Sequence, residues 1–135
     1  MDKVDGGIAI LSIILVIVLL ILGPCGEHPL GGGFTYFESP RMISYWNMKD
    51  TLHLDIPKDV LSYKNTLNYL LVKQRPAQYP DVLDDTKYVY PHGRDTVYYF
   101  FIDKRAKEVT GPLLYSEMET YLKDKDLVKM LKKLD

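Results

Sequence analysis

Histidine and cysteine have the widest chemical repertoire in this 135-residue chain, and their placement restricts what they can do. His28, His53 and His92 lie too far apart for the H-x-x-x-H spacing that puts two imidazoles on one helical face around zinc, and the single Cys25 has no second thiol for a C-x-x-C site or an internal disulfide. Asp81, Asp84, Asp85 and Asp95 are hard oxygen ligands that could gather around calcium. Their spacing is not that of an EF-hand loop, so solvated carboxylates are the better reading. No G-x-S-x-G surrounds any serine, and Gly31-Gly32-Gly33 lacks the following Lys-Ser/Thr of a phosphate loop. These patterns assign no catalytic residue, metal ligand or cofactor. The densest constellation is Tyr79, Tyr88, Tyr90, His92 and Arg94, in the segment Pro76–Asp95. Tyrosine and arginine are favoured in protein interfaces because they bring large area at modest entropic cost. The same rings could instead fold back to cover a sheet, and both readings stay open. Lys129, Lys132 and Lys133 could touch anionic lipid, but Asp124, Asp126 and Asp135 alongside them favour a solvated face.

Charge and composition narrow the partners. The chain carries 17 basic and 18 acidic residues; setting aside Asp2, Lys3 and Asp5 leaves 16 of each, so the part beyond the amino terminus is formally neutral. A nucleic-acid binder needs a basic surplus to neutralise phosphates, and this sequence has none. A composition 47% hydrophobic and 12% aromatic excludes a disordered tail, and the length excludes a multidomain enzyme or a multi-span transporter.

Gly6–Gly26 contains no charged residue, and within Ile8–Leu22 only Ser12 is polar. At about 1.5 Å per residue, such a stretch is long enough as a helix to span about 30 Å of hydrocarbon. Three readings follow: an uncleaved transmembrane helix, a cleaved secretory signal, and a lipoprotein signal ending at Cys25 as the lipid-attachment residue. Leu22-Gly23-Pro24-Cys25 has the apolar residue and the cysteine of a lipobox, with Pro24 where a small residue is usual. The start, MDKVDGG, has one lysine against two aspartates and no Ala-x-Ala follows, which makes simple secretion the weakest of the three. Lys3 before the span, with no basic residue after it until Arg41, places the amino end inside and the domain outside. The expected organisation is an anchor over 1–26, a glycine-rich tether over 27–33 and an α+β extracytoplasmic domain over 34–135.

Strands are expected at Phe34–Glu38, at Met42–Met48, at Thr51–Ile56 with Leu52, Leu54 and Ile56 on one face and His53 toward solvent, and at Tyr69–Gln74. Thr96–Asp103 is apolar on both faces and reads as a central strand covered on each side. Lys104–Lys107 forms a turn, and a return strand from Glu108 ends at Gly111-Pro112. Ser116 with Glu119 makes a capping box opening a helix whose apolar face holds Met118, Tyr121 and Leu122. After a break near Asp124–Asp126, Leu127, Met130, Leu131 and Leu134 repeat at helical spacing. The fold predicted is an antiparallel sheet of four to six strands with C-terminal helices on one face, preceded by a single N-terminal hydrophobic helix.

The order Leu71-Val72-Lys73-Gln74, Tyr99–Lys104, Val109–Leu113, then Ser116 and Glu119, together with Cys25-Gly26 and Gly31-Gly32-Gly33-Phe34, resembles an uncharacterised domain-of-unknown-function family of small bacterial membrane-anchored lipoproteins. The likeness covers most of the chain from Cys25 onward; Pro24 departs from the family's lipobox, and Pro76–Asp95 stands as an insertion. The resemblance implies an extracytoplasmic, membrane-attached domain and carries over no catalytic residue. The function expected is a non-enzymatic binding or accessory domain, held to the membrane through residues 8–22, with a protein partner engaged by the Tyr79–Arg94 loop. Its rivals are an inhibitor or immunity-type protein acting on a toxin or hydrolase, and a small enzyme using His92 and the loop aspartates.

Overall fold

The computed structural model describes residues 13–14, 26–39, 41–47, 52, 54–78 and 88–134. Of the apolar stretch 8–22, only Ile13 and Ile14 fall among these, both helical; no helix of the described residues is long and apolar enough to cross a membrane. Cys25, His53, Tyr79, Asp81, Asp84 and Asp85 lie outside the described residues.

Among the described residues from Gly26 onward, seven strands and two helices follow in chain order: β1 (Glu27–Gly31), β2 (Phe34–Phe37), β3 (Met42–Tyr45), β4 (Val60–Asn65), β5 (Tyr69–Gln74), β6 (Tyr98–Asp103), β7 (Glu108–Leu113), α1 (Tyr115–Asp124) and α2 (Val128–Lys132). They form a three-stranded antiparallel sheet, β1-β2-β3, and a four-stranded antiparallel sheet, β4-β5-β6-β7. The class is α+β as expected, but two sheets replace the single one.

The interior strands β5 and β6 explain the layering. Successive side chains of a strand point to opposite faces. Leu70, Val72, Phe100 and Ile102 enter one core with Leu30, Phe34, Ile43 and Ile56 from the first sheet and its flank. Leu71, Tyr99 and Phe101 enter a second core with Met118, Leu122, Met130, Leu131 and Leu134 of the helical segment. The four-stranded sheet is therefore a middle layer, and the two-faced apolarity of Thr96–Asp103 has this cause.

Four local expectations change. The segment read as a tether is strand β1, whose partner β2 is reached through Gly31, Gly32 and Gly33, all at positive φ (+84°, +65° and +91°). At Gly33 a Cβ would come within 2.9 Å of the Trp46 carbonyl oxygen, so the turn closes only with glycine there. Of the segment 51–56, the described Leu52, Leu54 and Asp55 lie outside any strand: Ile56 makes an isolated bridge to Ile43, while the Asp55 carboxylate accepts the Tyr45 N–H at 2.7 Å in place of a backbone oxygen. β7 runs through Gly111-Pro112 to Leu113, where a register shift opposite β6 accommodates the pair. α1 begins at Tyr115, so Glu117 rather than Glu119 reaches back, accepting the Leu114 N–H at 2.9 Å. The break between the helices stands, with Lys125 closing α1 and Asp126 at φ 56°.

Strand direction gives the domain two ends. β1 leaves Gly26, turns at Gly31–Gly33, and β2 returns to Glu38, whose N–H donates to the Gly26 oxygen at 2.8 Å. β5 and the following residues bring Gln74–Ala77 to that same end, because Val60 N–H donates to Arg41 O and Arg75 N–H to Asp59 O. The opposite end gathers the Gly31–Gly33 turn, the β4–β5 turn at Thr66–Asn68 and the β6–β7 turn around Lys104.

Candidate functional site

Tyr88, Tyr90 and Arg94 are positioned by packing against the four-stranded sheet. Tyr88 sets its ring edge-on to Phe100 at 5.0 Å and its hydroxyl donates to Asp55 O at 3.0 Å. Tyr90 lies 5.1 Å from the Tyr98 ring and donates to Gln74 Oε1 at 3.1 Å. Both rings are half-buried and join the core between the sheets, so of the two readings of these tyrosines the covering one describes the geometry. The buried Tyr98 shapes the turn that follows: its hydroxyl accepts the His92 N–H and donates to Gly93 O, each at 2.8 Å. This leaves His92 exposed on the turn and Arg94 lying over the Tyr90 ring at 5.2 Å, where its Nη1 donates to Ala77 O at 2.8 Å.

Arg94 opens onto a groove at the Gly26 end. One part, about 390 Å³, is lined by Arg41, Asp59, Arg75, Gln78, Arg94 and Asp95, among others; it continues past Arg41, Asp59, Ala77 and Gln78 into a second part of about 470 Å³ that adds Glu38, Ser39 and Lys58. Among the described residues its cations, Arg41, Lys58, Arg75 and Arg94, outnumber its carboxylates, Glu38, Asp59 and Asp95, in a domain whose overall charge balances. Arg41 holds a loose ion pair with Asp59, Nη2 to Oδ1 at 3.7 Å, and both are substantially exposed. Glu38 accepts from His28 Nε2 at 2.8 Å if the imidazole presents its proton there. Arg75 projects to solvent from the residue after β5. Guanidinium groups converging on one depression suit an anionic ligand, because each offers a planar fork of donors to carboxylate or phosphate oxygens.

Gln74 lines a smaller cavity that shares Lys58, Ala77 and Arg94 with the groove. Fully buried, it donates from Nε2 to Pro57 O at 3.0 Å and Lys58 O at 3.1 Å while accepting from Tyr90, so one amide fixes three chain segments. Arg41, Lys58, Gln74 and Arg75 carry no local sequence signal as a group; a strand register and an irregular connection bring them together. Asp95 reaches the groove with Arg94, whereas the other loop aspartates of the calcium reading are outside the described residues. Among the described residues no three His, Cys, Asp or Glu side chains gather as a metal site.

At the other end Lys104 is buried, and its Nζ donates to Leu30 O and Asn65 Oδ1, each at 2.5 Å, and to Thr66 O at 2.7 Å. Burial pushes its ammonium below the ordinary lysine range. All three protons are used on neutral oxygens from both sheets, which makes it a clamp between the layers rather than a free nucleophile.

Comparisons with protein-family models, with curated proteins and with solved structures find no match.

Proposed function

We propose that this chain is a membrane-anchored, non-enzymatic binding domain. Residues 8–22 fasten it to the bilayer, the domain stands on the extracytoplasmic side, and the Arg41–Arg75–Arg94 groove is its ligand-facing surface for an anionic group. One observation supports this above the others: the uncharged stretch Gly6–Gly26 runs straight into a folded element, β1, with its start pinned by the bond between Gly26 and Glu38. An apolar run of that length is favourable in hydrocarbon and costly in water. The groove is preferred to Tyr88 and Tyr90 as the binding surface because these two residues place their rings and hydroxyls inside the domain, while Arg94 of the same loop lines the groove.

Membrane fractionation of expressing cells, with mass spectrometry of the mature amino terminus, tests the reading. The full chain is expected in the membrane pellet after alkaline carbonate washing, with either an intact hydrophobic stretch or an acylated Cys25. Recovery of the unprocessed chain in the soluble fraction refutes it.

A further inference from the structure

We infer that the arginine groove binds the headgroups of anionic phospholipids in the bilayer to which the chain is anchored, so that the domain rests on the membrane by its Gly26 end. The inference rests on the membrane-anchored reading above and names the ligand of its groove.

Covalent reach supplies the first argument. Only Gly23, Pro24 and Cys25 separate Leu22 from Gly26. A fully extended chain covers roughly 3.5 Å per residue, so Gly26 lies within about 14 Å of the last apolar residue whatever path those residues take. A lipid on Cys25 would shorten the distance further. The second argument is topological. Gly26 shares a depression with Glu38 and Ser39, and those two residues also line the basic groove. The strand directions then carry Arg41, Asp59, Arg75 and Arg94 to this end and send the Gly31–Gly33, Thr66–Asn68 and Lys104–Lys107 turns to the other.

Charge and chemistry choose the occupant. Headgroup phosphates are dense, multivalent acceptors, and guanidinium pairs with them in a bidentate fashion. Each basic residue near an anionic bilayer surface strengthens attachment by roughly fivefold, and the attraction fades over about one Debye length, so it acts at this end of the domain and not at the far one. Glu38, Asp59 and Asp95 in the groove, with Glu27 beside Gly26, limit the affinity, which suits a contact that orients an already tethered domain and has no need to recruit it.

Phenylglyoxal labelling of arginine, mapped by mass spectrometry, reads the contact on the intact chain. The chain is placed in nanodiscs of phosphatidylcholine alone, or with about a third of the lipid replaced by phosphatidylglycerol. Arg41, Arg75 and Arg94 are expected to react about fivefold more slowly in the anionic discs, Arg105 at the far turn at an unchanged rate, and high salt should abolish the difference. Equal rates in both lipids, or equal slowing of all four arginines, overturn the inference while leaving the anchor standing. Protection by soluble polyglutamate or by inorganic phosphate in neutral discs, with none from phosphatidylglycerol, also overturns it and assigns the groove to a soluble ligand. Failure of the chain to enter neutral discs refutes the anchored reading itself, and this inference with it.

Discussion

Single residues carry more of this fold than their types suggest. The three bonds of Lys104 all go to neutral oxygens, yet they join β1, the β4–β5 turn and the β6–β7 turn. Lys104→Met strands three acceptors and is expected to lower stability by about 3 kcal/mol, read as a reduced urea midpoint with the slope unchanged. The sign of its pH dependence follows from burial. The folded state gives up the proton at lower pH than the unfolded chain, so between the two values the unfolded chain binds more protons and stability rises with pH. That rise should be absent from Lys104→Met. Tyr63 acts oppositely. Burial first, then the charges of Tyr36 and Glu38, raise its phenol above 10.0, so its stabilisation is complete below the unfolded value and is lost as pH climbs through the folded one. Tyr63→Phe should therefore flatten the alkaline loss of stability seen by circular dichroism.

Elements depend on backbone more than on pattern. Gly111, at φ +135°, sits in β7 where a Cβ would fall 2.6 Å from the Tyr99 carbonyl oxygen; at Gly93, with φ +85°, a Cβ meets nothing within 4 Å. Gly111→Ala is expected to cost well over about 2 kcal/mol and Gly93→Ala about 1 kcal/mol, the latter from φ alone. Thermal melts of the two variants separate collision from conformation. The helix frame has a similar check. Glu117 caps Leu114 N–H, whereas Glu119 makes only an exposed contact to Lys123 at 3.4 Å. Glu117→Ala should lose about 1 kcal/mol and Glu119→Ala no more than about 0.5 kcal/mol. The reverse order in urea melts would put the helix start at Ser116.

At the scale of the molecule, two cores share one middle sheet. Ile43→Ala opens the core between the sheets and Leu131→Ala the core beneath the helices, each from a fully buried position, and each should cost about 3 kcal/mol. Because β5 and β6 contribute to both, the layers should unfold together. The fluorescence of Trp46, the sole tryptophan, and far-ultraviolet circular dichroism are expected to give coincident transitions in detergent for the parent chain and both variants. Separate transitions would mean that the three-stranded sheet is an independent unit.

Local order was legible wherever one residue's neighbours along the chain decide its environment. The alternation in Tyr69–Gln74 and the double-faced apolar run in Thr96–Asp103 marked β5 and β6, and Met118, Leu122, Met130 and Leu131 marked the buried sides of the helices. β4 escaped notice because it is an edge strand with Leu61 exposed, Ser62 and Lys64 within it, and a bulge that interrupts its alternation. β1 hid behind Pro29 and the glycines at its ends, whose types mark turns and linkers when the turn they serve is unknown. The tyrosines of the loop announced interaction but could not say with what, since a ring covering a sheet and a ring awaiting a partner have the same composition. By itself the sequence determined the apolar amino-terminal stretch, the α+β class and the central strands, all of which follow from local periodicity and hydrophobicity. Only the tertiary structure decided that the apolar faces divide between two sheets and a helical layer, and that Arg41, Arg75 and Arg94 meet in one groove, because register and turn geometry bring distant segments together and leave no mark in the spacing of the residues.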